Sequence, residues 1–145
     1  MVARHIERAG VHIDLACGDA SLLKVSPCEK KIGLDRLYGD NIEDELDFPG
    51  GFADYVTMLA FIEHLEDPRP LLKECCRILK PEGRLILTTP LNSSKKYLRL
   101  WHKDLDAEHK RYFDKTSMER ILYPYFVIGF YRRYFLNQLF ICEKA

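Results

Sequence analysis

Short apolar runs separated by polar turns dominate the hydrophobic pattern of this chain. Their length and composition predict buried strands at residues 11–15, 31–34, 54–59 and 84–89. A helix is predicted over residues 67–79, because apolar residues recur there at helical spacing and the segment LKPEG stops the pattern. We expect Asp67 to cap this helix and Pro68 to occupy its first position.

The later pattern predicts two further helices and a closing antiparallel strand pair, at about residues 20–24, 116–122, 127–131 and 139–143. Two connections are unusual. Residues 36–53 contain too much glycine and proline for the usual crossover helix, so we expect a loop there with a residual strand at 41–42. Residues 91–115 are long for a connection and predict a functional loop with some helix. Alternating strands and helices indicate an α/β fold with a mostly parallel sheet.

Composition narrows the class of protein. The chain has 145 residues, 47% of them hydrophobic and 30% charged, which fits one domain over residues 1–145. The formal net charge is zero, so a strong nucleic-acid signal is absent. The first ten residues lack a signal-peptide core, and no apolar run reaches the ~18 to 20 residues of a membrane span. Five cysteines without paired CxxC motifs predict reduced thiols, no metal site and a cytoplasmic location.

Two acidic residues stand at the ends of the first two predicted strands. Asp14 closes the first strand and Asp35 closes the second, with the small-residue turn 16–20 between them. Ligands of open α/β sheets bind beyond the carboxyl ends of the strands, and an acid after the second strand can accept both hydroxyls of a ribose. The order and spacing therefore favour a nucleotide-type cofactor over isolated turn and capping roles. A nicotinamide-dependent dehydrogenase is disfavoured, because the turn lacks G-x-G-x-x-G.

Residues 11–20, VHIDLACGDA, resemble motif I of class I S-adenosylmethionine-dependent methyltransferases, written as apolar-x-Asp-x-Gly-x-Gly-x-Gly. Residues 33–35 resemble the acidic end of that family's second strand. Residues 48–90 are similar to its later motifs, including EHL and R-x-L-K-P-x-G, and 108–114 to a segment before the next helix. The resemblance covers roughly residues 11–130. It implies a Rossmann-like three-layer sandwich, shortened relative to the usual methyltransferase fold, with S-adenosylmethionine as cofactor.

The resemblance also implies roles for individual residues. Those facing the methionine part of the cofactor would be Asp14, Ala16, Cys17, Gly18 and Ala20, together with Leu59 and Ala60 beneath it and near the methyl group. Those facing the nucleoside would be Asp35 at the ribose hydroxyls, Arg36 and Leu37 beside the adenine, and Asn41 and Ile42 at its edge. The methyl acceptor, a small molecule or a protein side chain, is not identified by any motif.

Methyl transfer needs mainly positioning, and a general base only where the acceptor must lose a proton. Glu63 and His64, after the third strand, are the candidate bases, although an acid there also commonly caps or forms an ion pair. His102 and His109 are further candidates in the long loop. Four aromatic residues of that region either line a substrate mouth or pack against the sheet, namely Tyr97, Trp101, Tyr112 and Phe113.

Two departures from the family pattern open an alternative. Ala16 and Ala20 replace the first and third glycines of motif I, which costs about 1 kcal/mol wherever the backbone needs positive φ. The chain before the first strand is also too short for a lid, and the helix after the second strand is missing. We therefore expect an open pocket that a partner protein or second subunit could close. The alternative function is a degenerate, non-catalytic domain that acts as a partner or scaffold subunit.

Overall fold

A computed structural model describes residues 1–7, 10–42, 45–91 and 111–145. The strands within these residues are β1 (Val11–Leu15), β2 (Lys30–Leu34), β3 (Ala53–Leu59), β4 (Leu79–Pro90), β5 (Phe126–Tyr134) and β6 (Asn137–Lys144). The α-helices are α1 (Ser21–Val25), α2 (Arg69–Ile78) and α3 (Lys115–Leu122). Short 3₁₀ helices lie at Val2–His5, Arg36–Tyr38 and Ile62–His64.

The six strands form one mixed sheet in the order β2-β1-β3-β4-β6-β5. β1 pairs in parallel with β2 and β3, and β4 pairs in parallel with β3. β6 runs antiparallel to both β4 and β5. This arrangement confirms the predicted Rossmann-like sheet with a C-terminal antiparallel strand pair. It also places the carboxyl ends of β1, β2, β3 and β4 along one edge.

Hydrophobic side chains cover both faces of the sheet. On one face α2 buries Leu71, Leu72, Cys75 and Ile78 in the main core, to which α3 adds Met118 and Leu122. On the other face a smaller cluster joins Ile6 and Cys28 to strand residues such as Tyr55 and Ile86. Burial on both faces is the reason that the parallel strands are nearly continuous apolar runs.

The bounds of α2 differ from the prediction. Pro68, not Asp67, precedes the first helical residue, and the Asp67 carboxylate instead accepts hydrogen bonds from the backbone and guanidinium of Arg69. The helix ends at Ile78, as the segment LKPEG predicts, but β4 begins at once with Leu79. Residues 80–83 form a bulge between two paired positions of β3, and an irregularity of this kind leaves no periodic signal.

The connection after β2 holds no crossover helix, as predicted, but the residual strand predicted at 41–42 is wrong, since the described part of this connection contains only a 3₁₀ helix. Ile42 and Leu46 instead enter the hydrophobic core. Arg77 of α2 donates to the carbonyl oxygens of Phe48 and Leu46, at 2.7 and 2.9 Å. Two buried side chains and one arginine thus hold a segment that lacks regular structure.

Candidate functional site

The candidate site lies at the carboxyl edge of the three strands β1, β2 and β3. Within the sheet Asp14 of β1 stands level with Gly33 of β2 and Thr57 of β3. Asp35 follows β2 directly, and Ala60 follows β3. The fold therefore brings together the residues that the sequence places at these strand ends, as the parallel register requires.

The turn between β1 and α1 has an alternating left-handed backbone. Ala16, Gly18 and Ala20 have φ values of 57°, 53° and 59°. The Ala20 amide donates to the Cys17 carbonyl oxygen at 2.8 Å, which closes the turn before the helix. Left-handed backbone is strained for any residue with a Cβ, so both alanines carry the cost that replacement of the family's glycines implies.

Asp35 holds this turn against the start of the next connection. Its Oδ2 accepts a hydrogen bond from the Gly18 amide at 2.8 Å, and its Oδ1 accepts one from the Leu37 amide at 2.9 Å. The Asp35 amide in turn donates to Asp40 Oδ2 at 2.9 Å. A carboxylate offers about four acceptor positions, so about two remain for other donors. Asp35 is 8% exposed, so most of its side chain is buried at the carboxyl edge of the sheet.

Tyr38 is a site residue that the sequence analysis missed. Its hydroxyl donates to the Gly18 carbonyl oxygen at 2.9 Å, so the turn is bonded on one side by Asp35 and on the other by Tyr38. The neighbouring Leu37 side chain is 82% exposed beside the site and suits an apolar contact with a flat ring. An aromatic residue three positions after the acid was the available signal, but only the 3₁₀ helix turns it back toward Gly18.

Asp14 is linked by hydrogen bonds to buried polar side chains that the sequence analysis also missed. The Thr57 hydroxyl donates to Asp14 Oδ1, and His12 and Ser26 continue the line of hydrogen bonds into the protein. Burial raises the pKa of Asp14 to about 6, with a further contribution from the charge of Asp35 and an opposing one from Thr57. The signal in the sequence was His12, a polar residue within an apolar strand.

The remaining cofactor residues of the sequence analysis occupy different environments. Ala60 lies exposed at the edge with a φ of 51°, and its amide donates to Thr88. Leu59 is half-buried beside it, and Arg36 and Asn41 are exposed. Ile42 is 1% exposed within the core, so of the pair predicted at the adenine edge the accessible side chain is Asn41. Their contacts with a cofactor stay predictions.

Glu63 and His64 lie in the 3₁₀ helix that follows β3. The Glu63 side chain is 1% exposed, and neither carboxylate oxygen meets a hydrogen-bond partner among the described residues. Burial therefore raises its pKa, although Thr89 lies close enough to oppose the shift. The Thr89 hydroxyl is likewise buried without a partner in the described part of the chain. A carboxyl whose pKa is raised by burial holds a proton more tightly than an exposed carboxyl does.

The long loop after β4 is described only at its two ends. Phe113 is buried in the main core and bridges to Leu91, so it packs against the sheet and does not line a mouth. Tyr112 is half-buried. The other predicted loop residues fall outside the described residues, namely Tyr97, Trp101, His102 and His109.

An open cavity of about 810 Å³ lies at the opposite edge of the sheet, lined by residues of β3, the β4 bulge and β6. Several of its charged groups form ion pairs, as in the contact of 2.7 Å between Lys80 Nζ and Asp54 Oδ2. Being at the amino ends of β1 and β3, it is remote from Asp14 and Asp35 and plays no part in the candidate site.

This chain is similar to a methyltransferase family and to several known methyltransferases. The family described as "Methyltransferase domain" matches residues 2–123. The ubiquinone biosynthesis O-methyltransferase of Pseudomonas paraeruginosa is 30% identical over 88 residues, which are 59% of this chain and 37% of that protein. The enzyme of the same name from Erwinia tasmaniensis is 24% identical over 68% of this chain and 41% of its own length. The chain thus spans about two fifths of these curated relatives.

Solved structures show the same fold. A complex of the Haloferax volcanii Trm112 methyltransferase activator with a methyltransferase matches with a TM-score of 0.80 and 16% identity, over 97% of this chain and 84% of that one. A SAM-dependent methyltransferase from Archaeoglobus fulgidus matches with a TM-score of 0.77 and 17% identity, over 97% and 89%. The family match over most of the chain shows that the chain belongs to the methyltransferase-domain family, and the solved structures share its Rossmann-like fold.

Proposed function

We propose that this chain binds S-adenosylmethionine at the carboxyl edge of β1, β2 and β3 and transfers its methyl group to an acceptor. The observation that carries the proposal is the pair of acids around the strained turn. Asp35 is fixed by Gly18 and Leu37 with acceptor positions to spare, and Asp14 stands one strand away. Asp35 would hold the ribose hydroxyls, and Asp14 and the turn would face the methionine part. The bound cofactor would supply an activated methyl group.

The chain's part in the chemistry would be positioning and proton transfer. In-line transfer forms a bond from the acceptor to the methyl carbon as the sulfur–carbon bond breaks, and an O–H or N–H acceptor also gives up a proton. Glu63 or His64 would take that proton. The buried carboxyl of Glu63, which has no hydrogen-bond partner among the described residues, supports this role, because burial raises its pKa and so makes its ionised form a stronger base.

The acceptor and any partner belong to the same proposal. The curated relatives act in ubiquinone biosynthesis, as their names state, and a small hydroxylated molecule is therefore one acceptor class to test. The Haloferax methyltransferase forms a complex with an activator protein, which supports a partner or second subunit that covers the open edge here. No helix in the described parts of the chain is both long and apolar enough to cross a membrane. The five cysteines form no disulfide among the described residues, which supports a cytoplasmic location.

Calorimetric titration with S-adenosylmethionine and S-adenosylhomocysteine tests the cofactor proposal. Wild-type protein should bind in the micromolar range, and Asp35→Ala should weaken binding by at least tenfold. Asp47→Ala is the matched control, because it removes an exposed aspartate from the same connection. No heat of binding from wild-type protein at millimolar ligand would contradict the proposal.

A non-catalytic partner or scaffold domain is the second candidate. Left-handed Ala16 and Ala20 favour it, because strain in the turn that should meet the cofactor is tolerable where no cofactor has to bind. It predicts a folded protein without measurable cofactor affinity that associates with itself or another chain. Sedimentation of a single monomeric species alongside micromolar cofactor binding would rule it out.

A further inference from the structure

Four buried polar side chains form a continuous line that ends at the candidate site. Ser26 Oγ lies 2.9 Å from His12 Nδ1, and His12 Nε2 lies 2.9 Å from Thr57 Oγ1. The Thr57 hydroxyl is bonded to Asp14 Oδ1 at the end of β1. All four residues are buried. A buried polar network of this kind stabilises a fold only when it is fully bonded, a requirement that apolar side chains would not carry.

The charge of Asp14, at the end of the line, fixes the direction of every hydrogen bond in it. An ionised carboxylate only accepts, so the single Thr57 proton goes to Asp14. Thr57 must then accept from His12, which places the imidazole proton on Nε2. The bare Nδ1 therefore accepts from the Ser26 hydroxyl. Ser26 Oγ itself accepts a hydrogen bond from the Cys28 amide at 3.4 Å. Ser26, His12 and Thr57 therefore each accept one hydrogen bond and donate the next.

His12 can take part in this way because it is uncharged. Burial lowers its pKa to about 4, and the positive charge of Lys31 on β2 adds to the shift. At neutral pH the ring therefore has one donor nitrogen and one acceptor nitrogen, as the line requires. Other titratable groups face Asp14 from neighbouring segments, namely Asp35 after β2 and Cys17 in the turn. Asp35 repels the charge of Asp14, whereas Thr57 stabilises it.

We propose that Ser26, His12 and Thr57 are positioning residues, which keep Asp14 ionised and oriented to accept the ammonium group of S-adenosylmethionine. The inference rests on the proposed function. A carboxylate has about four acceptor positions and Thr57 occupies one, so Asp14 can accept further donors at the edge. A cation there would relieve the two costs that Asp14 bears, its burial and the neighbouring charge of Asp35.

Protonation of Asp14 on Oδ1, the oxygen that Thr57 contacts, would reverse the line. A neutral Asp14 donates to Thr57, Thr57 then donates to His12 Nε2, and His12 carries its proton on Nδ1 toward Ser26. The tautomer of His12 therefore reports the charge of Asp14 without any ligand. Because the pKa of Asp14 is about 6, the change should be centred near that pH.

Nitrogen-15 spectra of histidine-labelled apoprotein test the direction of the line. At pH 7.5 His12 should be neutral with its proton on Nε2, and the Nδ1 tautomer should grow as the pH falls through about 6. Thr57→Ser should keep the Nε2 tautomer, because serine retains the hydroxyl, and Thr57→Val should reduce its population. A charged ring or a dominant Nδ1 tautomer at pH 7.5 would overturn the inference.

Two ligands that differ in the amino-acid part separate positioning from mere folding. Thr57→Val should weaken S-adenosylhomocysteine about tenfold, and Thr57→Ser should bind within about twofold of wild type. Neither variant should change the affinity for 5′-methylthioadenosine, which lacks the ammonium group. Equal loss for both ligands, or no loss for either, would overturn the positioning role alone. No binding of S-adenosylhomocysteine by wild-type protein would overturn the proposed function and this role with it.

Discussion

The Asp35 carboxylate accepts a hydrogen bond from the Gly18 amide at 2.8 Å, joining the end of β2 to the turn that follows β1. Its other oxygen accepts from Leu37 at the start of the 3₁₀ helix. One side chain therefore fixes two backbone segments that border the proposed nucleoside site. Because both bonds go to an ionised acceptor, each is stronger than an ordinary amide–carbonyl bond.

Asp35→Asn should therefore destabilise the protein even without a cofactor. The amide keeps one acceptor oxygen and replaces the other with a donor, which cannot bond both Gly18 and Leu37. We expect a loss of about 1–3 kcal/mol in the free energy of unfolding, measured by urea titration. Asp47→Asn, on the exposed part of the connection, should change it by less than about 0.5 kcal/mol. An equal loss of stability in the two variants would contradict the role of Asp35 in holding the two backbone segments together.

Restoring glycine in the turn should stabilise the protein. Ala16→Gly and Ala20→Gly remove a Cβ from left-handed backbone, and we expect about 0.5–1 kcal/mol from each. Ala53→Gly is the matched control, since Ala53 lies buried in β3 and its loss should be destabilising. Thermal melts of the three variants measure these changes in stability. Destabilisation at position 16 or 20 would show that the turn is not strained.

The pH dependence of stability should change when Asp14 is neutralised. Its pKa is raised by burial to about 6 from an ordinary value of 3.8, so the folded state binds a proton that the unfolded state has already released. Stability from this group is present below about pH 4 and is lost as the pH rises through 6, by about 3 kcal/mol. Asp14→Asn should therefore gain stability relative to wild type between pH 4 and pH 7. A stability difference between Asp14→Asn and wild type that does not change with pH would contradict the raised pKa of Asp14.

Glu63→Gln should relieve the cost of a buried, unpartnered carboxylate. Burial raises the pKa of Glu63, so wild-type protein loses stability as rising pH ionises the group, whereas the variant does not. We expect the variant to be the more stable protein at pH 8 and the advantage to shrink at pH 4. Glu82→Gln, at an exposed position of the β4 bulge, serves as control. Chemical denaturation at both pH values gives the comparison.

Arg77 should matter more than a neighbouring arginine of the same helix. Arg77→Met leaves the Leu46 and Phe48 carbonyl oxygens without their donor and Glu74 without its ion-pair partner. We expect a loss of about 1–3 kcal/mol. Arg69→Met removes only an exposed ion pair with Asp67 and should cost under about 1 kcal/mol. Hydrogen exchange of the connection amides should rise in the first variant and stay unchanged in the second.

Local pattern was sufficient for most of the fold. β1 matches its predicted bounds, and the C-terminal strands pair as expected, because apolar runs and turn residues act over a few positions. The strand after α2 starts earlier than predicted, since a bulge depends on its pairing partner. The connection after β2 is irregular in sequence, and its order comes from contacts with Arg77 and the core, which no local rule encodes.

In the candidate site, too, some features follow from the sequence alone and others from tertiary contacts. By itself the sequence determined the family, the two acids at adjacent strand ends and the alanines that replace glycines, because these depend on order and spacing along the chain. Only the tertiary structure decided that Tyr38 bonds to Gly18 and that Thr57 stands level with Asp14, 43 positions away. It also decided that His12 completes a buried polar line. Such contacts arise where strands distant in sequence pair, so they follow from the register of the sheet and not from any local motif.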